Sequence, residues 1–423
     1  MKQIVWFSDV GKGDTALVGG KGANLGEMTK AGLPVPPGFI VTADAFFNYV
    51  RKTGLSKKIQ DLLKNIDPED SKTLQAKAKT VMKLIVDTPL SESLKEEIID
   101  AYQTMGDDVL VAVRSSATAE DLPEASFAGQ QATFLNVQGE KEVCRAVLKA
   151  YASLFEARAI YYRIVNKYDH FKVALAVPVQ RMVESDKSGI MFTVDPVTSD
   201  LSKIIIEAGW GLGEAIVSGS VTPDRYVVDK ATMTIANKEL HTQTWKIVKG
   251  TNGDKHVNVP RAERNVQKLS DQEILALAAI AKKIEDHYGS PQDTEWAIEG
   301  KNVYMVQSRP VTTLKDVTDG AAKTESSTVK ISSELILVKG APASMGSAFG
   351  PVKIIHKPSE IDKIEKGDVL VTEMTTPDYV PAMRRAAAIV TDTGGRTCHA
   401  AIVSRELGIP CVVGTGTATH MLK

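Results

Sequence analysis

Residues Thr391–Leu407 read TDTGGRTCHAAIVSREL. Gly394 and Gly395 let the chain turn sharply, and the apolar spacing after them predicts a helix. Thr397 is placed to cap that helix, which sets His399 in its first turn. Free backbone amides and the positive end of the macrodipole disfavour a cation there, so the imidazole is expected to stay neutral and nucleophilic. A phosphoryl group carried on it would be stabilised by roughly 0.3–1 kcal/mol or more. A lone histidine is most often structural, and the chain has only seven. This placement is nevertheless the one a transient phosphohistidine needs.

Around this stretch the pattern is that of a small α/β unit, with strands near DVLVTE, AAIVTD and CVVGTG. It follows a segment rich in Thr, Ser, Lys and Asp, residues 316–333, which reads as a linker. The expected organisation is therefore residues 1–315, a linker, and residues 334–423. At 423 residues the chain is too long for one compact domain. The middle of the chain has its own punctuation. Residues 270–273, SDQE, form a capping box ahead of Ile274, Leu277, Ala281 and Ile284, and Gly289 ends that helix. Residues 55–105 read as surface helices, with Leu74, Val81, Leu84 and Ile85 as their spaced apolar positions. The run FKVALAVPVQRMVESDKSGIMFTVDP reads as two strands joined by a polar turn at Glu184 to Gly189.

Composition excludes several classes. Lys plus Arg number 51 and Asp plus Glu 52, a net charge of -1 that gives no support to a nucleic-acid surface. No run of about 18 apolar residues is present to span a bilayer. Three dispersed cysteines, Cys144, Cys398 and Cys411, form no Cys-x-x-Cys pair, which fits a reducing cytoplasm better than a disulfide framework or zinc site. The N-terminus carries acids and no apolar run, unlike a signal peptide.

Any anion must then be gripped locally. A Walker loop fails because Gly22, not Ser or Thr, follows Lys21, and GWGLGEA has the wrong spacing for a dinucleotide fingerprint. A different set is present. Lys21 and Arg114 are each expected in a loop beside a strand, able to pair with phosphate oxygens. The small residues around Gly129 could close over a polyphosphate. Glu295, Gln307 and Arg309 fall on a predicted hairpin. If its loop is Gly300 to Asn302, Glu295 lies opposite Gln307, and a carboxylate with an amide oxygen there suits magnesium. Taken singly, each is most often a turn or a solvated charge. Their joint occurrence is harder to dismiss.

These residues carry a family likeness over almost the whole chain. GGRTCHAAIVSRELGIPCVVGTG resembles the phosphohistidine swivelling domain of the phosphoenolpyruvate-utilising enzymes. VGGKGANLGEM, VRSSATAEDLPEASFAGQQATFLNV, DPVTSD, GLGEAIVSGSVTPDRYVV and DTEWAIEGKNVYMVQSRP resemble the ATP-grasp domain of the same family, closest to its synthase branch. The resemblance implies an α/β fold: a two-lobed ATP-grasp nucleotide-binding domain followed by a small α/β swivelling domain. It assigns Lys21, Arg114, Gly129, Thr133, Gln180, Met182, Glu184, Glu295, Gln307 and Arg309 to ATP, with Gln180 to Glu184 meeting adenine. Glu295 and Gln307 become magnesium ligands, His399 the phosphorylated residue, and Thr397 the target of a regulatory kinase in some members. The implied activity is a dikinase using ATP and Mg2+ and releasing AMP and phosphate. Pyruvate would be served only by a barrel domain beyond this chain, which suggests a fragment limited to the ATP half-reaction. An assembly of identical chains stays open, and neither nucleic acid nor membrane is an expected partner. Rival readings are a pyruvate phosphate dikinase, a rifampin phosphotransferase-like enzyme with a larger inserted domain, and a phosphocarrier that binds nucleotide without turnover.

Overall fold

The computed structural model describes residues 2–68, 70–118, 121–122, 125–126, 132–165, 167–250, 253–311, 314 and 336–423. Helices and sheets are both present, as the α/β expectation requires. Contacts divide the chain into two compact units. One comprises Met1–Glu184 with Lys249–Lys255 and Tyr304–Arg309; the other comprises Ser185–Val248, His256–Val303 and Pro310–Lys423. The expected linker, residues 316–333, lies outside the described residues, as does Gly129.

The first unit is built on an antiparallel sheet in the order Ile4–Trp6, Gly38–Val41, Leu175–Arg181, Val111–Arg114, Thr133–Val137. Val111, Val113, Val177 and Val179 point to one face and join a core with Phe46, Tyr49, Val81, Ile98, Val147 and Tyr151 from the helices Ala43–Lys52, Ser71–Asp87, Glu92–Thr104 and Glu140–Ser153. Each fully buried Val or Leu contributes about 1.5–3 kcal/mol, so this face is strongly specified. The helices expected over 55–105 are present, but they are core elements, with Leu74, Val81 and Ile85 buried. Alternation sends the other set, Ala112, Arg114, Pro178 and Gln180, to the opposite face of the sheet.

The second unit contains an antiparallel sheet ordered Thr234–Glu239, Asp224–Asp229, Lys203–Trp210, Lys187–Phe192, Gln292–Glu299. The helix Asp271–Tyr288 packs Ile274, Leu277, Ala281 and Ile284 beneath it. Its capping box is formed as expected, and Gly289 closes it in the left-handed conformation at φ 69°. The two strands expected as a pair around Glu184–Gly189 instead belong to different sheets and different units. Both are so apolar that each is buried in its own sheet, and local alternation cannot tell a hairpin from two separate strands.

The same unit ends in an α/β subdomain. Its strands run Ala341–Ser344, Cys411–Val413, Ala388–Thr391, Val369–Thr372, Val352–Ile354, parallel except for the first. The helix His399–Leu407 crosses between the parallel strands Ala388–Thr391 and Cys411–Val413. Its N-terminus therefore opens at the carboxyl ends of the strands, where open parallel sheets present their sites.

Candidate phosphoryl-transfer site

In the first unit the sequence-predicted residues converge on the sheet face away from the core. Thr133 is directly opposite Arg114, and Gln180 is opposite Ala112, two residues from Arg114. Opposed residues share a face, so Arg114, Thr133 and Gln180 project together. Met182 and Glu184 follow on from this strand, Met182 half-buried and Glu184 exposed beside Lys249 at 3.5 Å. The segment Tyr304–Arg309 is anchored to the same unit. Met305 N donates to Pro34 O at 2.8 Å, Arg181 lies over the Tyr304 ring, and Arg114 donates to Val306 O at 2.8 Å and to Gln307 Oε1 at 2.5 Å. Arg114 is 8% exposed and ends its strand, so it is not in the loop expected.

Lys21 also departs from its expected loop. It lies within the helical span Thr15–Lys30, just after a break at Gly19, where φ 68° and ψ 173° interrupt the helix. Only glycine fits that break, since a Cβ at Gly19 would meet Ser116 Oγ at 2.2 Å. Ser116 Oγ ties the broken turn together, donating to Val18 O at 3.0 Å and accepting from Gly22 N at 3.2 Å. The result is a second helix start with Lys21 in its first turn, a geometry that favours anions.

The hairpin turn is shorter than expected. The strands Gln292–Glu299 and Asn302–Pro310 are joined by two residues, Gly300 and Lys301. Gly300 is left-handed at φ 59°, which permits a two-residue loop where three were expected, so the loop length from which Glu295 was placed opposite Gln307 does not hold. By contacts Glu295 belongs to the second unit and Gln307 to the first. Among the described residues no group of three or more His, Cys, Asp or Glu could hold a metal.

In the second unit, register builds one row across the sheet. Glu295 is opposite Ile190, Ile190 opposite Glu207, Glu207 opposite Arg225, and Arg225 opposite Glu239. These five side chains share one face, and Glu295 and Glu207 are separated by two strand spacings, roughly 10 Å. Arg225 Nη2 donates to Asp195 Oδ2 and Nη1 to Glu239 Oε1, each at 3.1 Å. Glu207 is 1% exposed, and burial pushes its carboxyl above the usual range, against the opposing pull of its hydrogen bond from Thr397 and the charge of Arg225.

His399 is the first residue of its helix, as expected, and it is half-buried. Its Nδ1 lies 2.9 Å from Thr375 Oγ1. The capping expectation is corrected: Cys398 is the N-cap residue and Thr397 caps nothing. Thr397 is 2% exposed and its Oγ1 donates to Glu207 Oε2. The hydroxyl thus serves a long-range partner, its O–H donating to a buried carboxylate, while the N-cap position falls one residue later. Cys398 is buried and its thiol is pushed up to about 12, so it offers no thiolate to compete with the neighbouring imidazole. Neither Glu207 nor Thr375 is singled out by sequence reading. The available signal for Glu207 was a single acid inside the apolar run IIIEA.

Two families match the chain. Residues 15–330 match the one described as "Pyruvate phosphate dikinase, AMP/ATP-binding domain", and residues 364–423 match "PEP-utilising enzyme, mobile domain". The chain is 54% identical over 428 residues to the "Probable phosphoenolpyruvate synthase" of Methanothermobacter thermautotrophicus, covering 100% of this chain and 61% of that protein. It is 52% identical to the "Probable phosphoenolpyruvate synthase" of Archaeoglobus fulgidus, covering 99% of this chain and 56% of the relative. It is 47% identical to the "Phosphoenolpyruvate synthase" of Pyrococcus furiosus, again covering 99% and 56%. The chain thus spans only about 56–61% of the length of these relatives. No helix among the described residues is long and apolar enough to cross a membrane. The first of the two matches spans well over half of the sequence and takes in both large sheets except the edge strand Ile4–Trp6, so this chain belongs to the family of the pyruvate phosphate dikinase AMP/ATP-binding domain, here followed by a PEP-utilising mobile domain.

Proposed function

We propose that this chain performs the ATP half-reaction of a pyruvate, water dikinase of the phosphoenolpyruvate synthase type. The observation that carries the reading is the placement of His399. It stands at a helix start, at the carboxyl ends of parallel strands, with the neighbouring Thr397 bonded to the sheet face that also bears Glu295. His399 Nε2 attacks the β-phosphorus of ATP and AMP departs with the bridging oxygen. Water then takes the γ-phosphate as inorganic phosphate, leaving a phosphohistidine for transfer to pyruvate.

The ATP phosphates are assigned to Lys21, Arg114 and Arg309, with Thr133 and Gly129 beside them and Gln180, Met182 and Glu184 along the base. The shared face of Arg114, Thr133 and Gln180 and the helix start at Lys21 support that assignment. Glu295 and Gln307 suit a hard cation, one carboxylate and one amide oxygen, and Gln307 Oε1 is already turned towards a cation, the Arg114 guanidinium. Mg2+ bound there would neutralise charge on the phosphates. A regulatory kinase acting on Thr397 belongs to the same reading. Thr397 is 2% exposed, so such a kinase would act on the loop released from Glu207.

The test is incubation of the chain with γ- and β-labelled ATP and Mg2+. An acid-labile phosphoryl group from the β-position should map to His399, with AMP released, and His399→Ala should bind ATP but take up no label. Label mapped to another residue, or AMP release at the normal rate by His399→Ala, would overturn the reading. A nucleotide-holding phosphocarrier would bind ATP and yield no AMP.

A further inference from the structure

We infer that Glu207 is the docking acceptor for the His399 loop, fixing the histidine's subdomain on the sheet face that carries Glu295. The inference rests on the proposed ATP half-reaction and adds a positioning residue to it. The contact is a built one. Thr397, two residues before His399, donates from Oγ1 to Glu207 Oε2, and both residues are at most 2% exposed. The backbone around the contact is trimmed to allow it. A Cβ on Gly395 would lie 2.8 Å from Glu207 Oε2 and 3.0 Å from the Pro223 ring, and a Cβ on Gly219 would lie 2.5 Å from Met374 Cε and 3.0 Å from Cys398 Cβ. Arg396, between Gly395 and Thr397, reaches Glu239 at 4.0 Å, the far end of the same cross-sheet row.

The row converts this contact into a position. Glu207 and Glu295 are two strands apart on one face, so a loop clamped on Glu207 holds the start of the His399 helix over the face of Glu295. In-line transfer requires the reacting atoms to be roughly 3–3.5 Å apart, and a tethered but unclamped histidine would rarely meet that condition. The Thr397 to Glu207 bond therefore acts on the frequency of the reactive pose, through His399, and touches neither substrate nor phosphate.

The experiment compares Thr397→Val, Thr397→Ser, Glu207→Leu, Gly395→Ala and the double variant Thr397→Val/Glu207→Leu with wild type. Three quantities are read: ATP affinity, the single-turnover rate of His399 phosphorylation, and hydrogen exchange of residues 204–209 and 395–400. Thr397→Val should slow phosphorylation by about tenfold, the size of one charge-assisted hydrogen bond, and raise exchange in both segments with ATP affinity unchanged. Thr397→Ser, which keeps the hydroxyl, should restore both. The double variant should cost little more than either single change, because both remove the same bond. Gly395→Ala should act as Thr397→Val does, its added methyl clashing only in the clamped pose. Unchanged exchange in Thr397→Val and Gly395→Ala, or equal losses in Thr397→Ser and Thr397→Val, would overturn the inference even if Glu207→Leu failed to fold. Should wild type place no phosphate on His399, the proposed half-reaction falls, while the exchange comparison still decides for or against the clamp.

Discussion

Thr375 Oγ1 lies 2.9 Å from His399 Nδ1, and Thr375 is 1% exposed. When Nδ1–H donates to that hydroxyl, the lone pair is left on Nε2, the nitrogen proposed to attack phosphorus. Thr375 therefore fixes the ring orientation, and attack from Nε2 requires the tautomer in which the hydroxyl is the acceptor. Thr375→Val should slow His399 phosphorylation by about tenfold without altering ATP affinity, and Thr375→Ser should stay near wild type. A single-turnover phosphorylation assay checks this, and an unchanged rate in the valine variant sinks it. A second residue has a role in stability alone. Arg163 Nε donates to His170 Nδ1 at 3.0 Å, which requires a neutral ring. Burial, and then the charge of Arg163, lower the His170 pKa from 6.5 to about 4, against a smaller opposing pull from Asp169. A histidine depressed in the folded state binds fewer protons there, so its contribution is complete above about 6.5 and is lost as pH falls towards about 4. Denaturant titrations across that window should show wild-type stability falling more steeply than that of His170→Gln. Parallel curves would remove the assignment.

At the scale of elements, the helix Asp271–Tyr288 owes its start to a reciprocal box. Ser270 Oγ accepts from Glu273 N at 3.3 Å, and the Glu273 carboxylate accepts from Ser270 N at 2.7 Å. Ser270→Ala should cost about 1 kcal/mol, visible as a lower denaturation midpoint. Gly19→Ala should cost more, about 1–3 kcal/mol from backbone strain alone, since φ is 68° and the new methyl would enter Ser116. A melting temperature unchanged by that substitution would remove the steric account of the break. These two elements show what the sequence makes legible. The capping box and Gly289 could be read outright because the signals are local and unambiguous. The Lys21 helix could not, because its break depends on Ser116, distant in sequence. The same limit explains Glu207 and Thr397. A cap is a local reading of threonine, whereas its actual partner lies 190 positions away, and only tertiary structure could supply it. The convergence of Arg114, Thr133 and Gln180 was implied by family likeness, and strand register supplies its physical reason.

At the scale of the second unit as a whole, the clamp carries a pH dependence whose sign follows from burial. Glu207 is held above the usual carboxylate range chiefly by desolvation, with Thr397, Arg225, the Arg396 backbone and Arg405 opposing. Released from Thr397, with the mobile subdomain lifted from the sheet, the carboxyl would regain water and its pKa would fall back. Closure therefore takes up protons. A group whose pKa is raised in the closed state favours that state below its ordinary range and loses the advantage as pH rises through the raised value. Protonation leaves the carbonyl oxygen free to accept from Thr397, so the hydrogen bond survives while the desolvation cost disappears. Asp195 and Glu239 also face Arg225, beside Glu207. Comparison with Glu207→Gln separates them, because the amide keeps the acceptor and removes only this titration. Distance measurements between labels on the sheet and on the mobile subdomain should show wild type closing more fully as pH is lowered from neutral into the upper carboxylate range. Glu207→Gln should remain closed across that range. If wild type instead opened on acidification, or if Glu207→Gln followed it step for step, the proton taken up on closure would belong to another group.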